Sequence, residues 1–466
     1  MIRREAGIIL PKTHSKANEI VNNLSRRVFG WRGEWSQVDF FTEYDDDNYI
    51  IPRYYPIEND EIIDNTCEGD EIEIEDNITP RTSRQAKSID YLLNNTNGIL
   101  RLEPGSGKTV IAIAAISRLK RKTIVFAHKS ELLKQWKKDI LNFTNLDEDD
   151  ISFVTSVDKK YKESLNKKIL LCTPHVVSVA IKRGKHDFLN DLYNCGIGVM
   201  FVDETHAAIG PEKFSMASFK INAKRTFGLS ATPYRLDGMN DILNFHLGEI
   251  IYYKPDDDEL LKPKVYMVSF KFGVFQGKTK KWINWGGHYN PSRYFKKIYD
   301  SPAFVKNVTH VINKYYKDDR TILVLGNRIE GLLNLAKECN LPKSEIGIFI
   351  PGAKSKQKLE VSDTDKMKEA LQKRIVFSTY SACRDGVNRE EFDCLVCCIP
   401  TSNMEQAAGR ILRHHPDKKV PVVIDFIDQE SPLTKNKQSI FYIQARKRLE
   451  FYEKMGWYVK YIDLEK

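Results

Sequence analysis

Five residues at positions 105 to 109 could bind the phosphates of a nucleotide. They are Gly105, Ser106, Gly107, Lys108 and Thr109, and they join the apolar run GILRLE to the helical pattern VIAIAAISRL. At such a strand-to-helix turn, glycines let backbone N–H groups converge on phosphate oxygens, while the lysine supplies a point charge and the threonine hydroxyl can bind Mg²⁺. We therefore predict a site for ATP or GTP, with a chance glycine-rich turn as the alternative.

An acidic pair follows another apolar run, in GVMFVDETH. Four apolar residues bring Asp203 and Glu204 to the C-terminal end of a strand, which is the edge where α/β sheets place ligands. There Asp203 would hold Mg²⁺ through water, and Glu204 would orient and deprotonate the attacking water. The alternative is that both acids only cap the next helix.

The elements that must position these residues form two series of short apolar runs separated by helical stretches. The first series is GILRLE, TIVFAH, KILLCTP, GVMFVDE and TFGLSA, and the second, after residue 320, is TILVLG, IGIFI, RIVFST, CLVCCIP and VVIDFID. Such runs, bounded by Gly, Pro or polar residues, predict buried parallel strands covered on both faces by helices. The fold class is therefore α/β, with two tandem lobes.

We predict five segments along the chain. They are an N-terminal acidic and aromatic module (1–80), the first lobe (81–252), a connecting segment or insertion (253–318), the second lobe (319–430), and a C-terminal helix and tail (431–466). The last of these is expected to contain a basic amphipathic helix that stops at Gly456 and serves packing.

Two of these segments allow alternative interpretations. The acidic tract DNTCEGDEIEIEDN is interpreted as a solvated linker, with an edge strand that turns Ile72 and Ile74 inward as the alternative. Between the lobes, FKFGVFQGKTKKWINWGGHYNPSRYFKKIY interleaves cations with aromatic residues. That stretch could grip a single strand by base stacking, or it could be a small subdomain with an aromatic core of its own.

A second set of candidate residues lies in EQAAGRILR, which places Gln406, Arg410 and Arg413 on one helical segment. Their spacings of four and three residues put them on a shared face. Presented across a cleft to the γ-phosphate, that face would provide arginine fingers for the transition-state charge. A basic surface helix is the alternative.

The order of these motifs resembles that of superfamily 2 helicases of the DExH type, over roughly residues 80 to 430. The phosphate loop is followed by DETH, by GLSATP with Ser230, Ala231 and Thr232, and then by QAAGRILR. The resemblance implies two RecA-like lobes, ATP and Mg²⁺ as cofactors, and a nucleic-acid-stimulated ATPase or helicase activity.

Weaker matches extend the resemblance. STYSACRDGVN, with Asp385 and Gly386 at its turn, resembles the motif that senses nucleotide and touches the nucleic-acid backbone. Gln85 resembles the glutamine that contacts adenine, although the residues before it depart from the family's Arg and aromatic pattern. HKSELLKQW and the Thr-Pro-His segment at 173 to 175 resemble the backbone grips of the first lobe, and each could equally be helix-start or turn chemistry.

Within superfamily 2, SATPYRLDG after DETH and VIDFID after QAAGRILR resemble the group of the xeroderma-pigmentosum group B repair helicases. Transcription helicases of poxviruses and other large DNA viruses share this likeness. The compact chain and the PRYY segment at Arg53 to Tyr55 make the viral branch the closer match. The resemblance implies action mainly on DNA, typically in the 3′ to 5′ direction, in transcription, replication or repair.

Composition supports a polyanionic partner. The net charge is +9, but residues 1 to 80 hold 8 Lys and Arg against 18 Asp and Glu, a net −10, so the remainder carries +19. We expect DNA, or RNA or an RNA–DNA hybrid, to be bound largely through its phosphates and with affinity that falls as salt rises. Transcription or repair proteins are further candidate partners.

The distribution of cysteines and apolar residues predicts a soluble intracellular protein. The eight cysteines are scattered, which fits reduced thiols, and the C-x-x-C of Cys394 and Cys397 is interpreted as part of a buried strand rather than a zinc site. No apolar run approaches the roughly 20 residues of a membrane span, so neither a span nor a signal peptide is expected. Nucleus, cytoplasm and virion are not distinguished.

Two rival functions are weighed against the helicase. A single-lobe P-loop enzyme, such as a kinase or ring ATPase, is opposed by the second strand series and by QAAGRILR. An ATP-gated scaffold without unwinding activity is opposed by the presence of Lys108, Glu204, Arg410 and Arg413. The choice of DNA or RNA, the polarity, strand separation and the oligomeric state are left open by the sequence.

Overall fold

The computed structural model divides the chain into two compact units, Met1–Asp256 and Asp257–Lys466. The structure describes residues 1–29, 35–58, 60–103, 105–155, 157, 161–205, 211–231, 233, 239–253, 261–274, 291–350, 364–387, 389–399, 404–412, 418–429 and 440–465.

The first unit begins with a small mixed sheet in the order β5-β6-β2-β1-β7. Its elements are β1 (Ile2–Arg4), β2 (Ile8–Pro11), β5 (Thr42–Glu43), β6 (Asn48–Ile51) and β7 (Ile62–Asp64), with helix α1 (Ala17–Leu24) and the hairpin β3 (Ser25–Phe29) and β4 (Trp35–Asp39) between them. Helix α1 buries Ala17, Ile20 and Leu24 because apolar residues recur at a spacing of three and four. Met239 and Ile242 of the following domain complete this apolar cluster.

Arg53 links the small sheet to the part of the first unit that contains the parallel sheet. Its guanidinium is buried, and Nη1 and Nη2 donate to the carbonyl oxygens of Ala223 and Ile221, each at 2.7 Å. The neighbouring Tyr54 hydroxyl lies 3.0 Å from Thr226 Oγ1. A buried guanidinium is stabilised only where acceptors meet its N–H groups, so this junction is specific.

The acidic tract packs onto the first unit, contrary to its interpretation as a solvated linker. Ile72 and Ile74 are buried in the same apolar cluster as the parallel sheet, while Glu71, Glu73 and Glu75, which alternate with them, are exposed. Glu71 pairs with Arg121 and Asp76 with Thr144 in isolated antiparallel bridges. The inward alternation of Ile72 and Ile74 is therefore confirmed, but the tract forms isolated bridges rather than an edge strand, and burial of the two isoleucines holds it against the sheet.

The main sheet of the first unit is parallel throughout, in the order β10-β11-β9-β12-β13-β8-β14. Its strands are β8 (Asn97–Arg101), β9 (Thr123–Phe126), β10 (Ile151–Val154), β11 (Ile169–Cys172), β12 (Val199–Asp203), β13 (Arg225–Ser230) and β14 (Ile250–Ile251). The five strands predicted from apolar runs are confirmed. The two edge strands were missed because one is only half-buried and the other has two residues.

Helices cover both faces of this sheet, with separate apolar clusters on its two sides. They are α2 (Ser83–Asn94), α3 (Lys108–Leu119), α4 (Ser130–Phe143), α5 (Tyr161–Leu165), α6 (Pro174–Lys182), α7 (His186–Asn194), α8 (Pro211–Ser218) and α9 (Asn240–Leu247), with a 3₁₀ turn at Glu148–Asp150.

The second unit has its own seven-stranded parallel sheet, in the order β17-β18-β16-β19-β20-β15-β21. Its strands are β15 (Lys264–Phe270), β16 (Ile322–Gly326), β17 (Ile346–Phe349), β18 (Ile375–Thr379), β19 (Cys394–Cys397), β20 (Val422–Asp428) and β21 (Tyr458–Asp463). The helices are α10 (Pro291–Tyr299), α11 (Pro302–Lys317), α12 (Ile329–Glu338), α13 (Thr364–Gln372), α14 (Tyr380–Gly386), α15 (Glu405–Ala408) and α16 (Ile440–Lys454), with a 3₁₀ turn at Lys343–Glu345. The five predicted strands, including the buried strand of Cys394 and Cys397, are confirmed.

This sheet extends beyond the predicted boundaries of the second lobe. Strand β15 comes from the predicted connecting segment, and β21 comes from the predicted tail; β15 lies between β20 and β21. Strand β21 is an edge strand with exposed Tyr458 and Tyr461, so it lacks the apolar run by which buried strands are recognised. The described part of the aromatic segment also belongs here, because Phe272, Tyr294 and Tyr299 pack in the core of the second unit, while residues 275–290 lie outside the described residues.

Helix α16 confirms the predicted C-terminal helix and its packing role. Arg448 on its buried side pairs with Asp425 of β20, with Nε to Oδ2 at 2.7 Å. The Tyr452 hydroxyl donates to the same carboxylate at 3.1 Å. The helix ends before Gly456, whose φ of +65° is a left-handed conformation that favours glycine.

Candidate nucleotide-binding site

The predicted phosphate loop lies at the carboxyl edge of the first parallel sheet. Strand β8 ends at Arg101, and α3 begins at Lys108. Gly105 and Gly107 have φ of +86° and +85°, a conformation that side chains with a Cβ rarely adopt. The left-handed turn at Gly107 brings the chain directly into α3, whose first N–H groups lack partners within the helix. A helix start of this kind is suited to an anion such as phosphate.

Gln85 of α2 is hydrogen-bonded to this loop. Its Nε2 donates to the Ser106 carbonyl oxygen at 2.9 Å, and its Oε1 accepts from the Arg81 backbone N–H at 2.8 Å. A Cβ on Gly107 would lie only 2.8 Å from that Nε2, so a side chain there would displace the amide and would also be strained at φ of +85°. The adenine contact expected of Gln85 stays a prediction, whereas support of the loop is visible.

A buried network of charged residues lies immediately before the loop. It was not predicted from the sequence. The guanidinium of Arg84 pairs with the carboxylate of Glu103. The other oxygen of Glu103 accepts from the Tyr252 hydroxyl at 3.0 Å, and Arg101 lies over the Tyr252 ring at 4.7 Å. Glu103 thereby ties α2 and the chain after β14 to the base of the phosphate loop. No sequence motif identifies this network, because its residues lie far apart in the chain.

The acidic pair lies at the end of β12, as its apolar run predicts. Glu204 Oε1 is 3.5 Å from Lys108 Nζ, which joins the acidic pair to the phosphate loop. Glu204 has φ of +49°, and a non-glycine residue held in this region costs on the order of 1–3 kcal/mol. The next described helix starts at Pro211, and residues 206–210 between it and the acidic pair lie outside the described residues.

Asp203 is a buried carboxylate at the end of β12. The indole N–H of Trp136 in α4 donates to its Oδ2 at 2.8 Å, and both side chains are buried. Burial, and next the charge of Glu204, raise the pKa of the Asp203 carboxyl above its usual range. Trp136 lies within HKSELLKQW, which resembled a nucleic-acid grip, so this contact was not foreseen.

The remaining first-unit candidates lie along the same edge. Ser230 ends β13, and its carbonyl oxygen accepts from Leu102 N–H at 2.9 Å, beside the phosphate loop. Ala231 is buried, while Thr232 lies outside the described residues. Thr173 and Pro174 begin α6, which is helix-start chemistry, and His175 beside them is exposed.

The residues present fit a nucleoside triphosphate with its metal. The Ser106 hydroxyl oxygen is buried and has no hydrogen-bond partner among the described residues, as expected of a group that awaits a ligand. Thr109 lies in the first turn of α3, and Asp203 is the last residue of β12. Mg²⁺ commonly takes only one or two protein ligands besides phosphate oxygens and water, which matches this donor set.

The second-unit candidates are only partly described. Asp385 and Gly386 lie in the last turn of α14, rather than at an open turn, and Asn388 lies outside the described residues. Gln406 lies in α15, which ends at Ala408, and Arg410 follows in a turn. The predicted single helical segment is therefore shorter than expected, and Arg413 lies outside the described residues.

Two parallel sheets, one of which carries a glycine loop and an acidic pair at its carboxyl edge, define a P-loop ATPase of the α/β class. Residues 62–235 match the family described as "Type III restriction enzyme, res subunit" and form a helicase domain of that type. This match, together with the viral and XPB relatives, supports the resemblance of the motifs to those of superfamily 2 helicases.

Individual relatives agree with this assignment. Over 431 residues the chain is 24% identical to a protein of Acanthamoeba polyphaga mimivirus named as an ATP-dependent RNA helicase, covering 89% of this chain and 76% of that protein. Over 181 residues it is 31% identical to the "General transcription and DNA repair factor IIH helicase/translocase subunit XPB" of Enterocytozoon bieneusi, covering 36% of this chain and 30% of that protein.

A solved structure supports the fold. The ATP-dependent Type ISP restriction-modification enzyme LlaBIII, solved bound to DNA, matches with a TM-score of 0.53 and 15% identity, over 87% of this chain and 34% of that one. This likeness concerns architecture alone. Among the residues that the structure describes, no helix is both long and apolar enough to cross a membrane.

Proposed function

We propose that this protein is an ATP-dependent translocase or helicase that acts on DNA and hydrolyses ATP with Mg²⁺ at the carboxyl edge of its first sheet. The observation that carries the proposal is the 3.5 Å contact between Lys108 Nζ and Glu204 Oε1. It joins a cation suited to phosphate with a carboxylate suited to activating water. A nucleotide hydrolase needs both at one place.

Each first-unit residue has a separate role in this proposal. Backbone N–H groups of Gly105 to Thr109 bind phosphate oxygens, and Lys108 neutralises part of their charge. Thr109 and Asp203 hold the metal ion, which supplies Lewis-acid stabilisation of phosphate charge when bound. Glu204 orients the attacking water and accepts its proton.

The second unit is assigned the transition-state residues. Arg410 and Arg413 are proposed to stabilise charge on the transferring phosphoryl group, with Gln406 in support. Asp385 and Gly386 are proposed to sense the nucleotide. These roles rest on motif order and spacing.

The choice of DNA rests on charge and on the relatives. The chain after residue 80 carries a net +19, given −10 in the first 80 residues, which suits a phosphate backbone bound with little sequence preference. The name of the XPB relative refers to transcription and DNA repair, and we infer a related setting here. The mimivirus relative is named for RNA, so RNA is the second candidate track.

The deciding experiment measures ATP hydrolysis with single-stranded DNA, duplex DNA and RNA. Wild type is compared with Glu204→Gln, and with Glu163→Gln, at an exposed position of α5, as the matched control. We expect DNA to stimulate wild type and the control, and Glu204→Gln to lose turnover while still binding nucleotide. Stronger stimulation by RNA would transfer the proposal to an RNA track, and absence of turnover by wild type would replace it with an ATP-gated scaffold.

A further inference from the structure

Trp136 makes a contact that core packing alone does not require. Its ring lies in the apolar cluster of the first unit, together with Ile111 and Phe201, and only 1% of it is exposed. A buried indole N–H needs one hydrogen-bond acceptor. The acceptor here is Oδ2 of Asp203, at 2.8 Å, 67 residues further along the chain.

The topology explains how the two residues meet. Strands β9 and β12 are adjacent and parallel, with Phe126 opposite Val202, so both end at the same edge of the sheet. Helix α4 begins four residues after β9, and Trp136 lies on its buried side with Leu133 and Ile140. The indole is therefore held by packing from behind, and its N–H meets the carboxylate at the end of β12.

We propose that Trp136 is a positioning residue that holds the Asp203 carboxylate in the orientation that binds Mg²⁺. A carboxylate has two oxygens, and a fixed donor on Oδ2 presents Oδ1 to the metal. Groups that orient metal-ligating carboxylates commonly account for about 10- to 100-fold in metal affinity. This inference rests on the proposed ATPase function, since it assigns a metal to Asp203.

The test measures the Mg²⁺ concentration at half-saturation for binding of methylanthraniloyl-labelled AMP-PNP, followed by its fluorescence. Trp136→Phe removes the N–H and keeps an aromatic ring in the core. Trp457→Phe is the matched control, because Trp457 is also buried, stacks on Tyr452 with centroids 5.6 Å apart and lies in the second unit. Each protein is also titrated with the nucleotide in EDTA.

We expect Trp136→Phe to raise the half-saturating Mg²⁺ concentration by about tenfold or more. Nucleotide affinity in EDTA should change less than about twofold, because the phosphate loop is intact, and Trp457→Phe should match wild type in both titrations. Equal Mg²⁺ dependence of wild type and Trp136→Phe would overturn the positioning role. An equal loss in EDTA would also overturn it, since that would indicate general damage to the site.

A shape-matched replacement covers the case in which Trp136→Phe melts at a lower temperature than wild type. Benzothienylalanine at position 136 keeps the bicyclic ring and replaces the N–H by sulfur, so only the donor is lost. The expected and contradicting results are the same. If wild type itself binds the nucleotide no better with Mg²⁺ than in EDTA, the proposed ATPase function fails, and the assignment to Trp136 fails with it.

Discussion

Lys108 Nζ lies 3.5 Å from Glu204 Oε1, although the two residues belong to different segments of the first unit, the start of α3 and the end of β12. The contact measures how closely the fold brings the phosphate loop to the acidic pair. It also places the strained Glu204, with φ of +49°, beside the group whose charge it faces.

Replacement of Lys108 by alanine should remove the cation that faces the phosphates. We expect a loss of ATP turnover on the order of 10²- to 10³-fold, as for other groups that stabilise transition-state charge. The thermal melting temperature should change little. Lys138→Ala, at an exposed position of α4, is the control and should hydrolyse ATP like wild type; equal turnover by Lys108→Ala would remove this lysine from the site.

Gly107→Ala tests the shape of the phosphate loop. The new Cβ would meet Gln85 Nε2 at 2.8 Å and would also occupy a left-handed conformation with φ of +85°. We expect nucleotide affinity to fall by about tenfold, or roughly 1.4 kcal/mol. Gly456→Ala also places a Cβ in a left-handed conformation, at φ of +65°, but meets nothing within 4 Å, so its nucleotide affinity, measured by the same titration, should be unchanged. Unchanged affinity of Gly107→Ala would contradict the close approach.

Arg53→Ala should loosen the small N-terminal sheet from the parallel-sheet part of the first unit. Two buried carbonyl oxygens, of Ile221 and Ala223, would lose their donors, and a large cavity would remain. We expect a loss of on the order of 3 kcal/mol in the free energy of unfolding, measured by denaturant titration. Arg27→Ala, at an exposed position of the hairpin, should cost less than about 0.5 kcal/mol. Similar losses in both variants would contradict the anchoring role.

His246 should make the first unit less stable in acid. It is buried, its ring nitrogens lie 2.8 and 3.0 Å from the Ser215 and Ser218 hydroxyls, and burial, and next the charge of Arg53, lower its pKa to about 3. In the unfolded chain a histidine takes up a proton near pH 6.5, so the folded state is progressively disfavoured as pH falls from about 6.5 towards 3. Between pH 7 and 5 this amounts to about 2 kcal/mol.

The measurement is the free energy of unfolding at pH 7 and pH 5 for wild type and His246→Gln. The glutamine does not titrate, so its loss between the two pH values should be smaller than that of wild type by about 2 kcal/mol. Identical pH dependence in the two proteins would show that His246 is protonated as easily in the fold as in the unfolded chain.

Arg448→Met should destabilise the second unit. The variant would leave Asp425 buried without its cation, and breaking a buried ion pair on one side costs about 3–5 kcal/mol. Arg446→Met, in the same helix, loses only an exposed pair with Glu450 and should cost less than about 1 kcal/mol. Thermal unfolding of the two variants gives the comparison, and equal melting temperatures would be the contrary result.

Much of the candidate site was predictable because its motifs are contiguous. Gly105 to Thr109 and the pair Asp203 and Glu204 are each preceded by an apolar run that forms a strand, so sequence alone places them at strand ends. The confirmed strands were predicted for the same reason, since buried parallel strands are apolar on both faces. Edge strands such as β21 were not predicted, because one side faces solvent and polar residues interrupt the apolar run.

The amino-acid sequence by itself determined the class of the protein: two α/β units, a phosphate loop, an acidic pair and the order of helicase motifs. Only the tertiary structure decided which distant side chains meet, including the indole of Trp136 on Asp203, the guanidinium of Arg53 on the carbonyl oxygens of Ile221 and Ala223, and the entry of β15 and β21 into the second sheet. The physical reason is that periodicity reports the burial of a segment, whereas these contacts depend on how segments far apart in the chain are brought together by the sheet order.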